Sequence, residues 1–382
     1  MVNCKETTRL NNTRIIVVAP NMSHPRYHRR VSALLSIGYQ VTVYSFERGY
    51  YNCNAFPPGC EVVNIGHVKD GHYFERIFKI LHAARKIYLM ERDKPRANLL
   101  YAFELDCALL GTIVTGKQTG IIYEIGDLRS PTTGRGILDR MVQYAEEIIL
   151  KRSKLFVNTS DAFIDFFLGK RCYDIKEKVL IIENKLPNDI AVDNLRPLIK
   201  NAHYPLKIGY IGLLRYEKSF LPLLNIVAEK KDSVSLHIHG DGPLRAIVEQ
   251  KAREHSNIHY HGPFRNPEDL SKIYNSIDLC YVVYDNNDLN VRLALPNKLY
   301  EATYFCVPLL VATDTALYVR VKEWDVGWAV DPQKKDFLER FFNEISLSDI
   351  DRKKRNASEI NQNRLIENWD DFFDRLQTII HL

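Results

Sequence analysis

The segment ALPNKLYEATYFCVPLLVA, Ala294–Ala312, decides the fold class, because it joins a helix to a strand with almost nothing between them. Leu299, Ala302, Thr303 and Phe305 recur at helical spacing, whereas Val307–Ala312 is a short β-rich run entered through Pro308. Glu301 therefore lies early on a helix that a buried strand follows at once. In an open α/β sheet, ligands collect at the carboxyl ends of strands and the adjoining helix N-termini, so a carboxylate there is placed to meet one. A solvated or salt-bridged helix residue is the plain alternative for a single Glu.

The same alternation extends in both directions. RIIVVAP opens a first cycle and is followed by a helix, PRYHRRVSALLSIG, and a strand in YQVTVYSF. NLLYAF, a helix around Cys107–Val114, GIIYEIG, a helix over Leu138–Arg152, KLFVNTS and KVLIIEN continue it. A second cycle begins at LKIGYIG and runs through SFLPLLNIVAEKK, VSLHIHG, PLRAIVEQKAREH, IHYHG, PEDLSKIYNSI and DLCYVVYD. Such βαβ alternation predicts parallel sheets. Between the cycles, NKLPNDIAVDNLRPLIKNAHYP is rich in Asn, Asp and Pro and reads as a linker. The expectation is two doubly wound, Rossmann-like domains, residues 1–190 and 200–360, facing each other across a cleft. The amphipathic tail at about 363–382, with Trp369, Phe372, Phe373, Leu376 and Ile379, is expected to fold back onto the first.

A chain of 382 residues has room for two cores, and 46% apolar with 26% charged residues is ordinary globular composition. Seven scattered cysteines without a C-x-x-C pair point to a reducing compartment rather than a disulfide framework or a zinc site. The N-terminus has no apolar stretch of signal-peptide length and no membrane-spanning run occurs, so a cytoplasmic protein is expected. Charge is uneven: residues 1–190 hold 27 Lys and Arg against 20 Asp and Glu, and residues 191–382 hold 25 against 27. A basic first half suits an anionic acceptor or an anionic membrane. Nucleic acid is not expected, because no nucleic-acid module accompanies the charge.

The first βα turn, APNMSHPR, lacks the glycines of a dinucleotide fingerprint, which argues against a nicotinamide dehydrogenase. Glycine-bearing turns fall in the second cycle, at Gly209 and Gly212 and at Gly240-Asp241-Gly242-Pro243. After Gly212, Arg215 and Lys218 bracket a loop entering a helix, where two cations and a helix N-terminus suit a diphosphate; a solvated pair beside Glu217 fits equally well. Glu104 and Asp106 follow a strand end and form either an acid pair for metal or base work or a cap for the next helix. His237, His239, His259 and His261 read as strand packing, with no metal assigned. HYFERIFKILHAARKIYLMERDK is a basic amphipathic helix with Phe74, Ile77, Phe78, Leu81, Ala84 and Tyr88 on one side; it covers a sheet or lies at an anionic membrane.

Four ordered blocks, IGYIGLLRYEKS, HIHGDGPLR, NIHYHGPFRNPEDLSKIYNSIDLCYVVY and LPNKLYEATYFCVPLLVA, resemble the nucleotide-sugar domain of retaining glycosyltransferases of family 4, which have the GT-B fold. The PNKLYE spelling resembles a branch used in bacterial capsule, exopolysaccharide and O-antigen synthesis. The resemblance implies transfer of a sugar, with retention, from a UDP- or GDP-sugar to a saccharide acceptor; a polyprenyl-diphosphate-linked acceptor docking on the first domain fits its basic excess and the amphipathic helix. It implies no cofactor and no metal; peripheral contact with an anionic membrane is what the basic excess and the amphipathic helix suit. Glu301 matches the ribose-binding glutamate, with Asn297 and Lys298 beside it. Lys218 matches the diphosphate lysine, with Arg215 joining it, and Gly212, Gly240 and Gly242 match the donor turns. Departures are Leu293, where a second glutamate is common, with Asp288 or Asn290 as substitutes; Leu213, where many members carry the arginine; and Phe103, where many carry histidine. Glu104 and Asp106 then become the expected polar groups at the sugar. Arg26, Arg29 and Arg30 are further acceptor candidates. A nucleotide-sugar 2-epimerase and a non-catalytic donor-binding subunit are the competing classes.

Overall fold

The computed structural model describes residues 13–22, 24–47, 56–67, 73–116, 118–128, 130–170, 175–188 and 199–381. It divides into two compact units, Met1–Ile182 with Trp369–Leu382, and Glu183–Asn368.

Unit 1 is built from β1 (Arg14–Ala19), α1 (Pro25–Ser36), β2 (Gln40–Glu47), β3 (Glu61–His67), α2 (Tyr73–Glu91), β4 (Leu99–Phe103), α3 (Glu104–Thr115), β5 (Gly120–Glu124), α4 (Ile137–Arg152), β6 (Ser153–Asn158) and β7 (Val179–Ile181). The strands pair in parallel in the order β3-β2-β1-β4-β5-β6-β7. Both faces of the sheet are covered. Ile16 and Val18 of β1 join one core with Cys107 and Leu110 of α3 and Ile149 and Leu150 of α4. Ile15 and Val17 join another, with Val31 and Leu34 of α1. Successive side chains point to opposite faces, and both faces are dry, so the central strands read as unbroken apolar runs.

Unit 2 contains β8 (Leu206–Ile211), α5 (Glu217–Glu229), β9 (Val234–His239), α6 (Arg245–Glu254), β10 (Ile258–Gly262), β11 (Leu279–Val282), α7 (Leu289–Leu293), α8 (Asn297–Tyr304), β12 (Leu309–Ala312) and β13 (Gly327–Val330). Its parallel sheet has the order β10-β9-β8-β11-β12-β13.

The tail helix α9 (Asp370–His381) belongs to unit 1, where Phe372 and Leu376 are buried beside Tyr101 and Phe103. The segment read as a linker is corrected at its start: the chain enters unit 2 at Glu183. Leu186 is fixed there by Leu186 N–H donating to the Leu365 carbonyl at 2.9 Å and Glu367 N–H donating to the Leu186 carbonyl at 2.8 Å. Residues 189–198 of that segment lie outside the described residues. A second correction concerns α2. It buries Ala83, Ala84 and Ile87 and leaves Leu81 and Tyr88 exposed, because the small alanines let the helix sit closest to the sheet. Side chains 73–78 lie outside the described residues.

Four histidines share one face of β9 and β10. His237 pairs in register with His259, their rings stack at 4.8 Å, and the His239 and His261 rings stack at 4.3 Å. Burial, then the neighbouring histidines, lowers His237 to about 4; burial, then His261 and Lys272, lowers His239 to about 4. Both are neutral when folded at pH 7, while the unfolded chain protonates near the ordinary value of about 6.5. The unfolded state therefore binds more protons between about pH 6.5 and 4, and stability falls as pH falls through that window. Melting temperature is expected to drop from pH 7 to pH 5, and His237→Gln with His239→Gln is expected to flatten that drop. An unchanged slope in a pH series of melting curves would show that these rings do not carry the dependence.

Candidate functional site

Strand order reverses between β8 and β11 in unit 2, and in such sheets the crevice outside the carboxyl ends at the reversal is the usual ligand position. Two turns are zipped together there. Gly212 N–H donates to the His239 carbonyl at 2.8 Å and Leu214 N–H to the Asp241 carbonyl at 2.9 Å. A Cβ on Gly240 would stand 1.8 Å from the Gly212 carbonyl oxygen, and Gly240 and Gly242 have φ of 153° and 152°. No L side chain meets both demands, so these glycines are fixed by the approach of one turn to the other.

Beyond Gly212, α5 begins at Glu217. Arg215 lies over the Tyr216 ring at 4.7 Å and donates to its hydroxyl at 2.5 Å. Tyr216 stacks on Tyr284, from the carboxyl end of β11, at 4.6 Å. Lys218 reaches Asp285 at 3.5 Å, with its side chain 77% exposed. Asp285 also accepts from Asn287 N–H at 3.1 Å and from Gln333 at 3.3 Å. Burial opposes its charge, but the Asn287 N–H and the Lys218 ammonium outweigh that and hold the carboxyl below its usual range. An exposed pair of this kind is worth roughly 0–1 kcal/mol, so an anionic ligand can displace Asp285 from Lys218 at little cost.

Helix α8 supplies the other side. Asn297 is its first residue, and the Lys298 Cε lies 3.7 Å from the position a Cβ would take on Gly212. Lys298 pairs with Glu301 at 3.3 Å. Glu301 is buried and accepts from the Tyr274 hydroxyl at 2.8 Å and from Asn266 at 3.5 Å. Of the two plain alternatives for a single helix Glu, a solvated residue is excluded and a salt-bridged one is present. Burial, then the Glu301 carboxylate, drives the Tyr274 phenol well above its usual range, so it stays a donor. Asp288 caps α7, accepting from Asn290 N–H at 2.8 Å, and so has a structural duty of its own. Gly212, Gly240, Gly242, Lys298 and Glu301 are thus brought together, with Arg215 and Lys218 on the loop and helix that leave Gly212.

In unit 1 the order reverses between β1 and β4. Glu104, directly after β4, is buried with φ of 65°, a left-handed conformation rare for a non-glycine residue. Its Oε1 lies 3.7 Å from the Arg26 guanidinium and accepts from Gly126 N–H at 3.5 Å. Asp106 sits in the first turn of α3, 3.3 Å from Cys107 N. Glu104 is therefore an ion-pair partner and neither carboxylate is the helix N-cap, which is Phe103.

The residue that sequence reasoning missed is Glu124. It is fully buried, accepts two hydrogen bonds from Arg30 at 3.0 and 3.1 Å and one from the Tyr101 hydroxyl, and lies 3.8 Å from Arg26. Burial works against the Arg30 charge, but Glu124 outweighs it and raises the guanidinium pKa. Arg26 and Arg30 are thus buried and paired rather than open to solvent, which corrects their reading as acceptor cations. The only available signal was a charged residue inside the apolar run GIIYEIG. Among the described residues no group of three or more His, Cys, Asp or Glu side chains suits a metal ion, and no helix is long and apolar enough to cross a membrane.

The chain is 25% identical over 322 residues to the succinoglycan biosynthesis protein ExoL of Rhizobium meliloti (strain 1021), covering 81% of this chain and 79% of that protein. Sucrose-phosphate synthase from Thermosynechococcus elongatus superposes with a TM-score of 0.68 at 15% identity, over 97% of this chain and 98% of that one. Anabaena Alr3699/HepE, solved in complex with UDP-glucose, superposes with a TM-score of 0.64 at 13% identity, over 97% and 99%. Residues 205–345, which carry β8 to β13 and every unit 2 residue of the site, match the family of glycosyl transferases group 1. The chain has the GT-B fold, and its second unit resembles the glycosyl transferases group 1.

Proposed function

We propose that this protein is a retaining glycosyltransferase that moves a sugar from a UDP- or GDP-sugar to a lipid-linked saccharide in bacterial surface-polysaccharide synthesis, working at the cytoplasmic face of the membrane. The observation that carries the reading is the pair of Lys298 and buried Glu301 beside the Gly212 turn at the strand reversal, with Lys218 on the helix that follows that turn. Glu301, held by Tyr274 and Lys298, accepts hydrogen bonds from the donor ribose. Lys218 leaves Asp285 for the diphosphate, and Arg215 joins it from the same loop. As the sugar–oxygen bond breaks, negative charge grows on the departing diphosphate, and these cations stabilise it where it develops. The leaving phosphate takes the acceptor proton on the same face, so the reaction needs neither a protein nucleophile nor a metal ion. Unit 1 serves the acceptor, with Glu104 and Asp106 at the carboxyl end of β4 as its polar groups. Similarity to ExoL supports the polysaccharide assignment, and the UDP-glucose complex of a protein with the same fold supports the donor class.

A thermal-shift series with UDP, GDP, ADP, CMP and NAD is the first test. One nucleoside diphosphate is expected to raise the midpoint, corresponding to about 2.7 kcal/mol at a hundred times its Kd. Glu301→Ala is expected to abolish the rise. No response to any nucleoside diphosphate would remove the donor site. Release of an epimerised free sugar or nucleotide sugar without acceptor would replace transfer with epimerisation.

A further inference from the structure

We infer that the outer face of α4 is a docking surface for an anionic lipid bilayer. This deepens the reading above and rests on it for the lipid-linked acceptor, although its geometry is independent of the donor site. A surface helix ordinarily has one apolar stripe, turned to the core. Helix α4 has two. Ile149 and Leu150 are buried against the sheet, while Ile137, Leu138, Met141, Tyr144 and Ile148 are 80, 71, 64, 66 and 40% exposed. Ile137, Met141, Tyr144 and Ile148 recur at i, i+4, i+7 and i+11, which sets them in one line along the outside of the helix. Single exposed apolar residues are unremarkable, but a contiguous line of large ones marks an interaction surface.

The charges on α4 say what kind of surface fits. Its acids are turned away or paired: Asp139 accepts from Gly136 N–H at 2.8 Å, Glu146 is buried beside the Tyr123 hydroxyl, and Glu147 pairs with Lys151 at 2.6 Å. Arg135 and Arg140 are exposed at one end of the line, and Lys151 and Arg152 close the other. The helix therefore presents apolar side chains edged by cations, the pattern of a helix lying in a headgroup layer. On the same layer, α3 packs between α2 and α4, and exposes Ile113, while α2 exposes Leu81, Tyr88 and Leu89. The seven-charge basic excess of residues 1–190 favours the anionic leaflet further.

The test is flotation of the full chain with phosphatidylcholine vesicles and with phosphatidylcholine–phosphatidylglycerol vesicles, with light scattering of the protein alone. The wild-type protein is expected to float with the anionic vesicles, less so at high salt, and weakly with the neutral ones. Ile137→Ser with Met141→Ser, and separately Arg135→Glu with Arg140→Glu, are each expected to lower the bound fraction by about tenfold or more. Circular dichroism verifies that these exposed substitutions leave the fold intact. Wild-type protein that stays unbound, or variants that float like wild type, would overturn the proposal. So would a wild-type dimer that the serine variant converts to monomer, which would assign the face to a second copy. The UDP and GDP thermal shift of the same variants reads the donor site separately, so the two readings fail independently.

Discussion

Lys218→Ala is expected to lower kcat by about 10²–10³-fold while leaving the melting temperature within about a degree of wild type. Removing one group that stabilises developing transition-state charge typically has an effect of this size. The side chain is 77% exposed and its ion-pair partner, Asp285, is also held by Asn287 and Gln333, so little folding free energy depends on it. Lys218→Arg is expected to recover part of the rate, because charge at this position matters more than its shape. Steady-state kinetics with the donor identified by thermal shift give the result. A rise in KM with kcat unchanged would mean that Lys218 binds the ground state and the transition state equally, and its role in the chemical step would fall.

Glu124→Ala is expected to destabilise unit 1 by about 3–5 kcal/mol, the range for breaking a buried ion pair from one side. Arg30 would lose both of its bonds to a carboxylate in a dry interior, Tyr101 would lose its acceptor, and Arg26 would lose a counter-charge. Replacing both partners by apolar residues, Arg30→Met with Glu124→Leu, is expected to recover much of that loss, because an unpaired buried charge costs more than the missing pair. Urea unfolding of the single and double variants measures the two values. A single variant within about 1 kcal/mol of wild type would show that water reaches the cluster and that the pair is not essential.

The strands and helices that carry large apolar side chains were legible in the sequence. The runs RIIVVA, LLYAF, LKIGYI and LLVA are buried on both faces of their sheets, so hydrophobicity marks them without any partner being known. β3 was not legible, because only Ile65 of its seven residues is buried and Val62 is exposed at the sheet edge. Helix α7 was missed for a similar reason: it is five residues long and buries Val291 alone. Helix α2 shows the limit of periodicity, since both of its faces carry apolar residues and the choice between them depended on which could approach the sheet.

The sequence by itself determined two parallel α/β cycles, the turn glycines and the position of Glu301 at the start of a helix ahead of a strand. Those features are local: they depend on alternation, on φ and on spacing within about twenty residues. The tertiary structure decided what each charged group meets. Glu301 meets Tyr274 across 27 residues, Lys218 meets Asp285 across the strand reversal, and Glu124 meets Arg30 across 94. A charge looks the same in sequence whether it is solvated, paired or held for a ligand. Only the folded neighbourhood, through burial and distance, sets which of these has the lowest free energy.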